Sequence, residues 1–187
     1  MTSNISETDD GQIGQEVSFD AVDDGTLTTR TDADTGVATM SSGHGIITGD
    51  IVNVYWASGG ERRGMDATVV GDAVTIDGGL GDDLPSQDDA VELAVCVVID
   101  MDFVGNLLIM LAMMSETSSA HVNMLDSGDA ELLEVDLTVN EAYTWSSGNG
   151  FTNPLASDTV AKVLVAAATG VTAAGTGKIG ILYNSAS

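Results

Sequence analysis

Short runs of alternating apolar and polar residues, each closed by glycine or aspartate, recur along this sequence. In the first of them Val17, Phe19 and Ala21 are separated by single residues. Side chains of a strand point to opposite faces of a sheet in turn, so such runs predict strands with one buried face. The 22 glycines, two prolines and 4% aromatic residues are typical of many short strands joined by tight turns. The sequence therefore predicts an all-β protein and excludes a helical bundle.

The first half of the chain is interpreted as an arm followed by a small barrel. Residues 1–15 are polar and acidic without periodicity, which predicts a flexible arm, or one that is ordered only against a neighbouring subunit. In residues 16–89 we expect a turn at Asp23-Asp24-Gly25 and a strong strand over Ile51–Trp56. About six short antiparallel strands fit this range, and they indicate a small β-barrel module.

The acidic, glycine-rich loop of residues 77–89, DGGLGDDLPSQDD, is the predicted boundary between two modules, although residues 90–99 could still pair with the barrel. Residues 90–187 contain longer strands, and those at 120–125 and 131–137 alternate, which predicts one solvated face. Residues 131–137 could instead form a helical turn, but Val135, Leu137 and Val139 favour a strand. Regular strand spacing with long loops predicts a jelly-roll-like antiparallel β-sandwich here.

The charge of the chain limits its partners. Five basic residues stand against 29 acidic ones, for a net charge of −24. Such a chain repels phosphate backbones and anionic lipid, so we expect neither nucleic acid nor a membrane as a partner. The acidity either serves only solubility, or it suits high ionic strength, divalent cations or a basic partner.

The charge is also unevenly distributed. Residues 1–89 carry a net charge of −15 and residues 90–187 a net charge of −9. The second module is therefore predicted to supply the apolar surface for assembly. The N-terminus lacks the basic and apolar regions of a signal peptide, and no apolar run has the ~20 residues that a membrane helix needs.

Motifs of known catalytic sites do not occur in the sequence. It has no G-x-S-x-G, H-E-x-x-H, P-loop or G-x-G-x-x-G element. His44 lies between two glycines, and His121 begins a later strand. Cys96 stands in the apolar run LAVCVVI, which is typical of a buried thiol rather than a nucleophile. We predict no catalytic residue and no cofactor.

Metal binding has only weak candidates. Residues 78–83, GGLGDD, match half of a calcium β-roll repeat, but that architecture needs stacked copies and only one is present. Asp77, Asp82 and Asp83 could offer carboxylate oxygens for weak Ca²⁺ or Mg²⁺ binding. A role in forming turns is the preferred interpretation.

Five residues are candidates for a protein interface. Arg62 and Arg63 form the one basic pair of the sequence, and we expect them either at an exposed hairpin tip or docked into an acidic neighbour. Leu108, Met110 and Met113 belong to an apolar strand, in which methionine either fills gaps in a core or forms an adaptable interface.

Two segments resemble tailed-bacteriophage virion proteins. Residues 42–54, SGHGIITGDIVNV, are similar to a GHG…TGD-x-V-x-V element in which a loop leads into a strand of a small β module. Residues 173–183, AAGTGKIGILY, resemble the final strand of β-sandwich phage structural proteins. The resemblance implies a non-enzymatic virion role and carries over no binding residue.

The expected function is a capsid decoration or cement protein, made in the host cytoplasm and placed on the outer surface of the particle. We expect a homo-oligomer, with a trimer favoured, that binds a major capsid protein or another virion protein. The alternative is a tail-tube, tail-tip or fibre subunit. A third hypothesis, a secreted carbohydrate-binding module, needs an aromatic platform, for which Trp145 beside a Ser/Gly-rich loop is the one candidate.

Overall fold

The computed structural model describes the chain in seven ranges, and within them the protein is built from strands. The chain divides into a barrel unit (Asp20–Cys96 with Ala166–Ala173) and a two-sheet unit (Met1–Phe19, Val97–Val165 and Ala174–Ser187). Over the described ranges no helix occurs, and so none that could cross a membrane. The predicted all-β class is confirmed. The described ranges are residues 6–7, 12–100, 106–114, 118–126, 128–139, 142–146 and 160–184.

The strands are numbered here in chain order. They are β1 (Ser6–Glu7), β2 (Gln12–Phe19), β3 (Asp23–Arg30), β4 (Thr35–Met40), β5 (Ile51–Trp56), β6 (Gly60–Val70), β7 (Ala73–Asp77), β8 (Leu80–Gly81), β9 (Ala90–Val95), β10 (Val97–Asp100), β11 (Asn106–Met114), β12 (Ala120–Asp126), β13 (Glu131–Leu137), β14 (Ala142–Ser146), β15 (Val160–Ala167) and β16 (Gly175–Asn184).

Six strands of the barrel unit close on themselves. Their order is β5-β9-β3-β4-β7-β6, and β6 pairs back onto β5, with every neighbouring pair antiparallel. The two-residue strand β8 is added beside β6. Closure leaves no free edge among the six strands. The predicted small barrel is confirmed.

The interior of the barrel is filled by aliphatic side chains. Alternate residues of each strand turn inward, as Val74 and Ile76 do in β7. Burying each such side chain contributes roughly 1.5–3 kcal/mol of hydrophobic free energy. The buried cluster comprises Leu27, Ala38, Met40, Ile46, Val52, Val54, Met65, Ala67, Val74, Ile76, Leu84, Val91 and Leu93.

The turn predicted at Asp23-Asp24-Gly25 is wrong, because these residues begin strand β3 and pair with β9. Gly25 is needed for a close approach rather than for a turn. A Cβ at this position would lie 2.6 Å from the Met40 sulfur and 3.0 Å from the Thr39 carbonyl oxygen. Glycine at such a contact can look like a turn residue in the sequence.

The barrel unit extends beyond the acidic loop of residues 77–89. Strand β9 follows the loop of residues 77–89 and pairs with β3 and β5, so the barrel unit extends to Cys96. Within the predicted arm of residues 1–15, Ser6–Glu7 and the start of β2 are strands. Strand β2 pairs with β16 of the two-sheet unit. The remaining residues of the arm lie outside the described ranges.

The two-sheet unit contains a five-stranded and a four-stranded sheet. The first has the order β1-β2-β16-β11-β14, and the second has the order β10-β15-β12-β13. The described registers of both sheets are antiparallel. Residues 131–137 form a strand, which confirms the preferred interpretation over a helical turn.

Strand β12 differs from the prediction that one of its faces is solvated. Its residues 120–125 are all buried, including His121 and Asn123, each 1% exposed. Their polar groups are paired from the neighbouring strand: His121 Nδ1 lies 2.7 Å from Asp136 Oδ1, and Asn123 Nδ2 donates to Glu131 Oε2 at 2.8 Å. Polar residues can occupy such positions because hydrogen bonds offset their desolvation. The alternation of apolar and polar residues along β12 therefore does not place its polar residues in solvent.

Candidate functional site: the acidic loop and the arginines of the barrel

The loop that joins β7 to β9 closes one end of the barrel. Leu84 at its centre is 2% exposed and belongs to the barrel core. Its backbone N–H donates to the Ala33 carbonyl at 2.8 Å. Further along, the Asp88 N–H donates to the Leu27 carbonyl at 2.8 Å, and the Leu27 N–H donates to the Asp89 carbonyl at 2.9 Å. The loop is therefore an ordered part of the barrel.

Arg62 holds this loop through three backbone carbonyl groups. Its Nε donates to Gly78 at 2.6 Å, its Nη2 to Gly79 at 2.9 Å and its Nη1 to Asp82 at 3.0 Å. The Asp34 carboxylate lies 3.6 Å from Nη2. The planar guanidinium suits this task because its donors diverge in a fixed geometry. Arg62 is consequently only 8% exposed.

Arg63 lies on the same strand and is also mostly buried, at 9% exposed. Its Nη1 donates to Glu61 Oε1 in an ion pair. An exposed hairpin tip, one of the two interpretations of the arginine pair, is therefore wrong for both residues. Each arginine lies near a carboxylate of its own unit, Asp34 for Arg62 and Glu61 for Arg63.

The three carboxylates considered for metal binding have different partners. Asp77 Oδ1 accepts a hydrogen bond from Thr35 Oγ1 at 2.7 Å. Asp82 Oδ2 accepts from the Glu61 N–H at 3.5 Å, and Asp83 Oδ2 lies 3.9 Å from Arg30 Nη2. A Ca²⁺ site needs six to eight oxygens around one point. Each of the three carboxylates contacts a different strand or turn of the barrel unit.

The backbone conformation of the GGLGDD segment explains why two of its positions are glycine. Gly79 and Gly81 adopt φ of +74° and +114°, in the region that favours glycine. A Cβ on Gly79 would lie 2.5 Å from the Arg63 carbonyl oxygen, and one on Gly81 would lie 2.7 Å from that of Glu61. The likeness to a calcium repeat thus reflects a backbone that runs close against β6.

A buried polar cluster lies on the outer side of β5. Asn53 Oδ1 accepts from the Gly64 N–H at 3.0 Å, where the β5–β6 register shifts, and from Cys96 Sγ at 3.3 Å. Asn53 Nδ2 donates to the Tyr55 hydroxyl at 3.2 Å, and that hydroxyl donates to the Ala167 carbonyl at 3.0 Å. Asn53 thus replaces a ladder hydrogen bond at a β-bulge. The sequence offered no sign of this role beyond a polar residue in an apolar strand.

Cys96 is a buried thiol, as predicted. Burial raises its pKa to about 12, well above the ordinary value for a cysteine. The thiol is therefore neutral near pH 7 and unsuited to nucleophilic attack.

The two histidines lie in different units. His44 occupies the loop between β4 and β5, where its Nε2 lies 3.3 Å from the Gly71 carbonyl oxygen, and it fastens that loop to the turn after β6. His121 contacts Asp136 in the sheet that contains β12 and β13. Each histidine has a neighbour in its own unit that accounts for its position.

The remaining interface candidates lie on strand β11. Leu108, Met110 and Met113 belong to this strand, which is paired on one side with β16 and on the other with β14. Their side chains lie outside the described part of the chain, and their proposed contact with a partner stays a prediction. Trp145 lies in β14, opposite Met110.

The chain matches no protein-family model, and a search of curated proteins finds no significant match.

Proposed function

We propose that this chain is a non-enzymatic structural protein of a tailed-bacteriophage particle, a decoration or cement protein that binds the outside of the head. The observation that carries this proposal is the use of the buried arginines in the barrel. Arg62 donates to three backbone carbonyls of the loop that closes the barrel, and Arg63 pairs with Glu61. These polar groups serve the rigidity of a scaffold, which a protein that reinforces a particle needs.

The charge of the chain supports an exposed position on the particle. The barrel unit contains 15 acidic and three basic residues, a net charge of −12, and the whole chain carries −24. Such a surface repels packaged nucleic acid and favours contact with a basic protein surface. Many weak contacts to a repeated lattice hold an oligomeric protein by avidity.

The two-sheet unit is the proposed assembly module. Its five-stranded sheet and its four-stranded sheet are compatible with a jelly-roll-like sandwich, the finer architecture that we propose for it. We propose that copies of the chain associate through this unit, with a trimer favoured. The apolar strand β11, NLLIMLAMM, supplies the composition that subunit interfaces favour.

Two measurements test the proposal. Light scattering after size-exclusion chromatography should give a mass of at least twice the 19.1 kDa of one chain. A strict monomer at every concentration would contradict the assembly role. Mass spectrometry of purified particles from a phage that encodes the chain should then find it in the particle, and its loss should lower the heat resistance of the heads. Rings in negative-stain images would indicate the tail-tube alternative.

A further inference from the structure

The paired strands β12 and β13 of the two-sheet unit share a polar patch. In their antiparallel register His121 lies opposite Asp136, and Asn123 lies opposite Glu134. Residues directly opposite each other lie on one face of a sheet, and so do residues two apart along a strand. The polar patch therefore brings one imidazole, one amide and two carboxylates onto the same face.

The polar patch is buried on one side and solvated on the other. His121 and Asn123 on β12 are each 1% exposed. On β13, Glu134 is exposed and the Asp136 side chain is 70% exposed. The solvated side gives a small ion a path to the two buried side chains.

Asp136 determines which ring nitrogen of His121 carries the proton. Nδ1 of His121 lies 2.7 Å from Asp136 Oδ1, and an ionised carboxylate can only accept a hydrogen bond. In the neutral ring the proton is therefore on Nδ1, and Nε2 carries the lone pair that a metal ion takes. Histidines that ligate metals commonly donate their other N–H to a carboxylate in this way.

Glu131 orients the amide of Asn123 in a similar manner. Asn123 Nδ2 donates to Glu131 Oε2 at 2.8 Å, so the amide oxygen Oδ1 is turned away from that carboxylate. Oδ1 is buried, and among the residues that the structure describes none donates a hydrogen bond to it. A buried acceptor without a donor is costly, and a bound ion is one way to satisfy it.

We propose that the polar patch binds one divalent transition-metal ion, with Nε2 of His121, a carboxylate oxygen of Glu134 and Oδ1 of Asn123 as its ligands. The observation that carries this proposal is the buried Asn123 oxygen without a donor, beside a histidine that a carboxylate orients. A ring nitrogen of His121 and a carboxylate oxygen of Glu134 lie within 4.8 Å of each other. Because Glu134 is exposed, its side chain can rotate to bring its oxygen to the ligand distance of about 2.0–2.2 Å from a shared ion.

The types of ligand favour Zn²⁺ over Ca²⁺ and Mg²⁺. An imidazole nitrogen suits Zn²⁺ and its neighbours in the first transition row, whereas Ca²⁺ and Mg²⁺ take oxygen ligands. Three protein ligands leave the fourth position of a tetrahedral Zn²⁺ to water. The polar patch thus differs from the aspartates of the barrel loop, which offer oxygen alone, and it does not depend on the proposed virion role.

The test titrates the full chain, first treated with a chelator, with ZnCl₂, CaCl₂ and MgCl₂ in a calorimeter. Salt at about 0.15 M screens weak association of cations with exposed carboxylates. We expect one Zn²⁺ per chain, bound at least about tenfold more tightly than Ca²⁺ or Mg²⁺. His121→Asn keeps a donor towards Asp136 but removes Nε2, and Glu134→Gln removes a carboxylate from an exposed position. Each should weaken Zn²⁺ binding by about tenfold or more.

Asp129→Asn and His44→Gln are the matched controls. Asp129 lies in the same unit, where its exposed carboxylate pairs with Lys162 at 2.6 Å, and asparagine tolerates its φ of +61°. His44 is the other histidine of the chain, and glutamine keeps an amide near the Gly71 carbonyl. Each control should leave the Zn²⁺ affinity within about twofold.

Three outcomes would overturn the proposal. The first is no Zn²⁺ binding, or Zn²⁺ binding no tighter than that of Ca²⁺ or Mg²⁺. The second is an unchanged Zn²⁺ affinity in His121→Asn or in Glu134→Gln, the latter a surface substitution that leaves the buried residues in place. The third is an equal loss of affinity in the controls, which would show that Zn²⁺ associates with acidic side chains in general.

Discussion

Arg62 Nη2 donates to the carbonyl oxygen of Gly79 at 2.9 Å, and this bond ties strand β6 to the loop that closes the barrel. The two residues are 17 positions apart in the chain. A buried guanidinium is stable here because its donors and its charge have partners. Arg62 thus adds a cation and three donors to an acidic loop that Leu84 and backbone hydrogen bonds also hold.

Arg62→Lys should destabilise the barrel by about 2 kcal/mol, because a lysine cannot reach all three carbonyls. Arg62→Ala should destabilise it by about 3 kcal/mol, because hydrogen bonds from charged donors contribute roughly 1.5–3 kcal/mol each. Urea unfolding followed by tryptophan fluorescence gives these values. Amide hydrogen exchange of Leu84 and Asp88 should become faster in both variants. Arg30→Lys is the control, since the Arg30 side chain is 34% exposed and its ion pair with Asp83 spans 3.9 Å. Its cost should stay below about 1 kcal/mol. Equal costs at the two positions would contradict the role assigned to Arg62.

Leu84→Ala should cost about 2–4 kcal/mol, because it removes a side chain that fills the closed end of the barrel and leaves a cavity. Leu84 is 2% exposed, while Leu80 in the same loop is 37% exposed. Leu80→Ala is therefore the control, with an expected cost below about 1 kcal/mol. Denaturant midpoints at an unchanged m-value measure both. If the two substitutions cost the same, the loop is not part of the barrel core.

Gly175→Ala should destabilise the two-sheet unit by about 1–3 kcal/mol through overpacking. Gly175 is opposite Phe19 in the β16–β2 pairing. A Cβ at Gly175 would overlap Phe19 Cζ and lie 2.9 Å from Ser118 Cβ, so the aromatic ring must move. Gly128→Ala, whose Cβ would meet only Asp126 Oδ1 at 3.4 Å, is the control in the same unit. Thermal unfolding of both variants tests the difference, and a neutral Gly175→Ala would show that the ring is not held over the glycine.

Local patterns in the sequence predicted the barrel, and they failed where a residue's role depends on a distant partner. Alternation and turn residues are local, so strands such as β5 and β7 could be found from them. The burial of Arg62 depends on carbonyl groups 16 to 20 residues further along, which only the register of the closed barrel brings near. His121 was expected on a half-solvated strand, but its partner Asp136 comes from the neighbouring strand β13. Gly25 is likewise predicted in a turn, but the structure places it in β3, where it allows a close contact with Met40.

Cys96 should be unreactive in the folded protein and reactive once the barrel opens. Burial raises the pKa of its thiol to about 12 from 9.0, so at pH 8 the folded protein contains almost no thiolate. The unfolded chain ionises at the lower pKa, so the thiol's contribution to stability is fully present below pH 9 and is lost as the pH rises towards 12. A thiol reagent at pH 8 should therefore label Cys96 at a rate that follows barrel opening in increasing urea. Cys96→Ala is the control, and this variant should lose less stability than the unaltered chain between pH 9 and pH 11. Fast labelling of the unaltered chain without urea would contradict the burial of the Cys96 thiol.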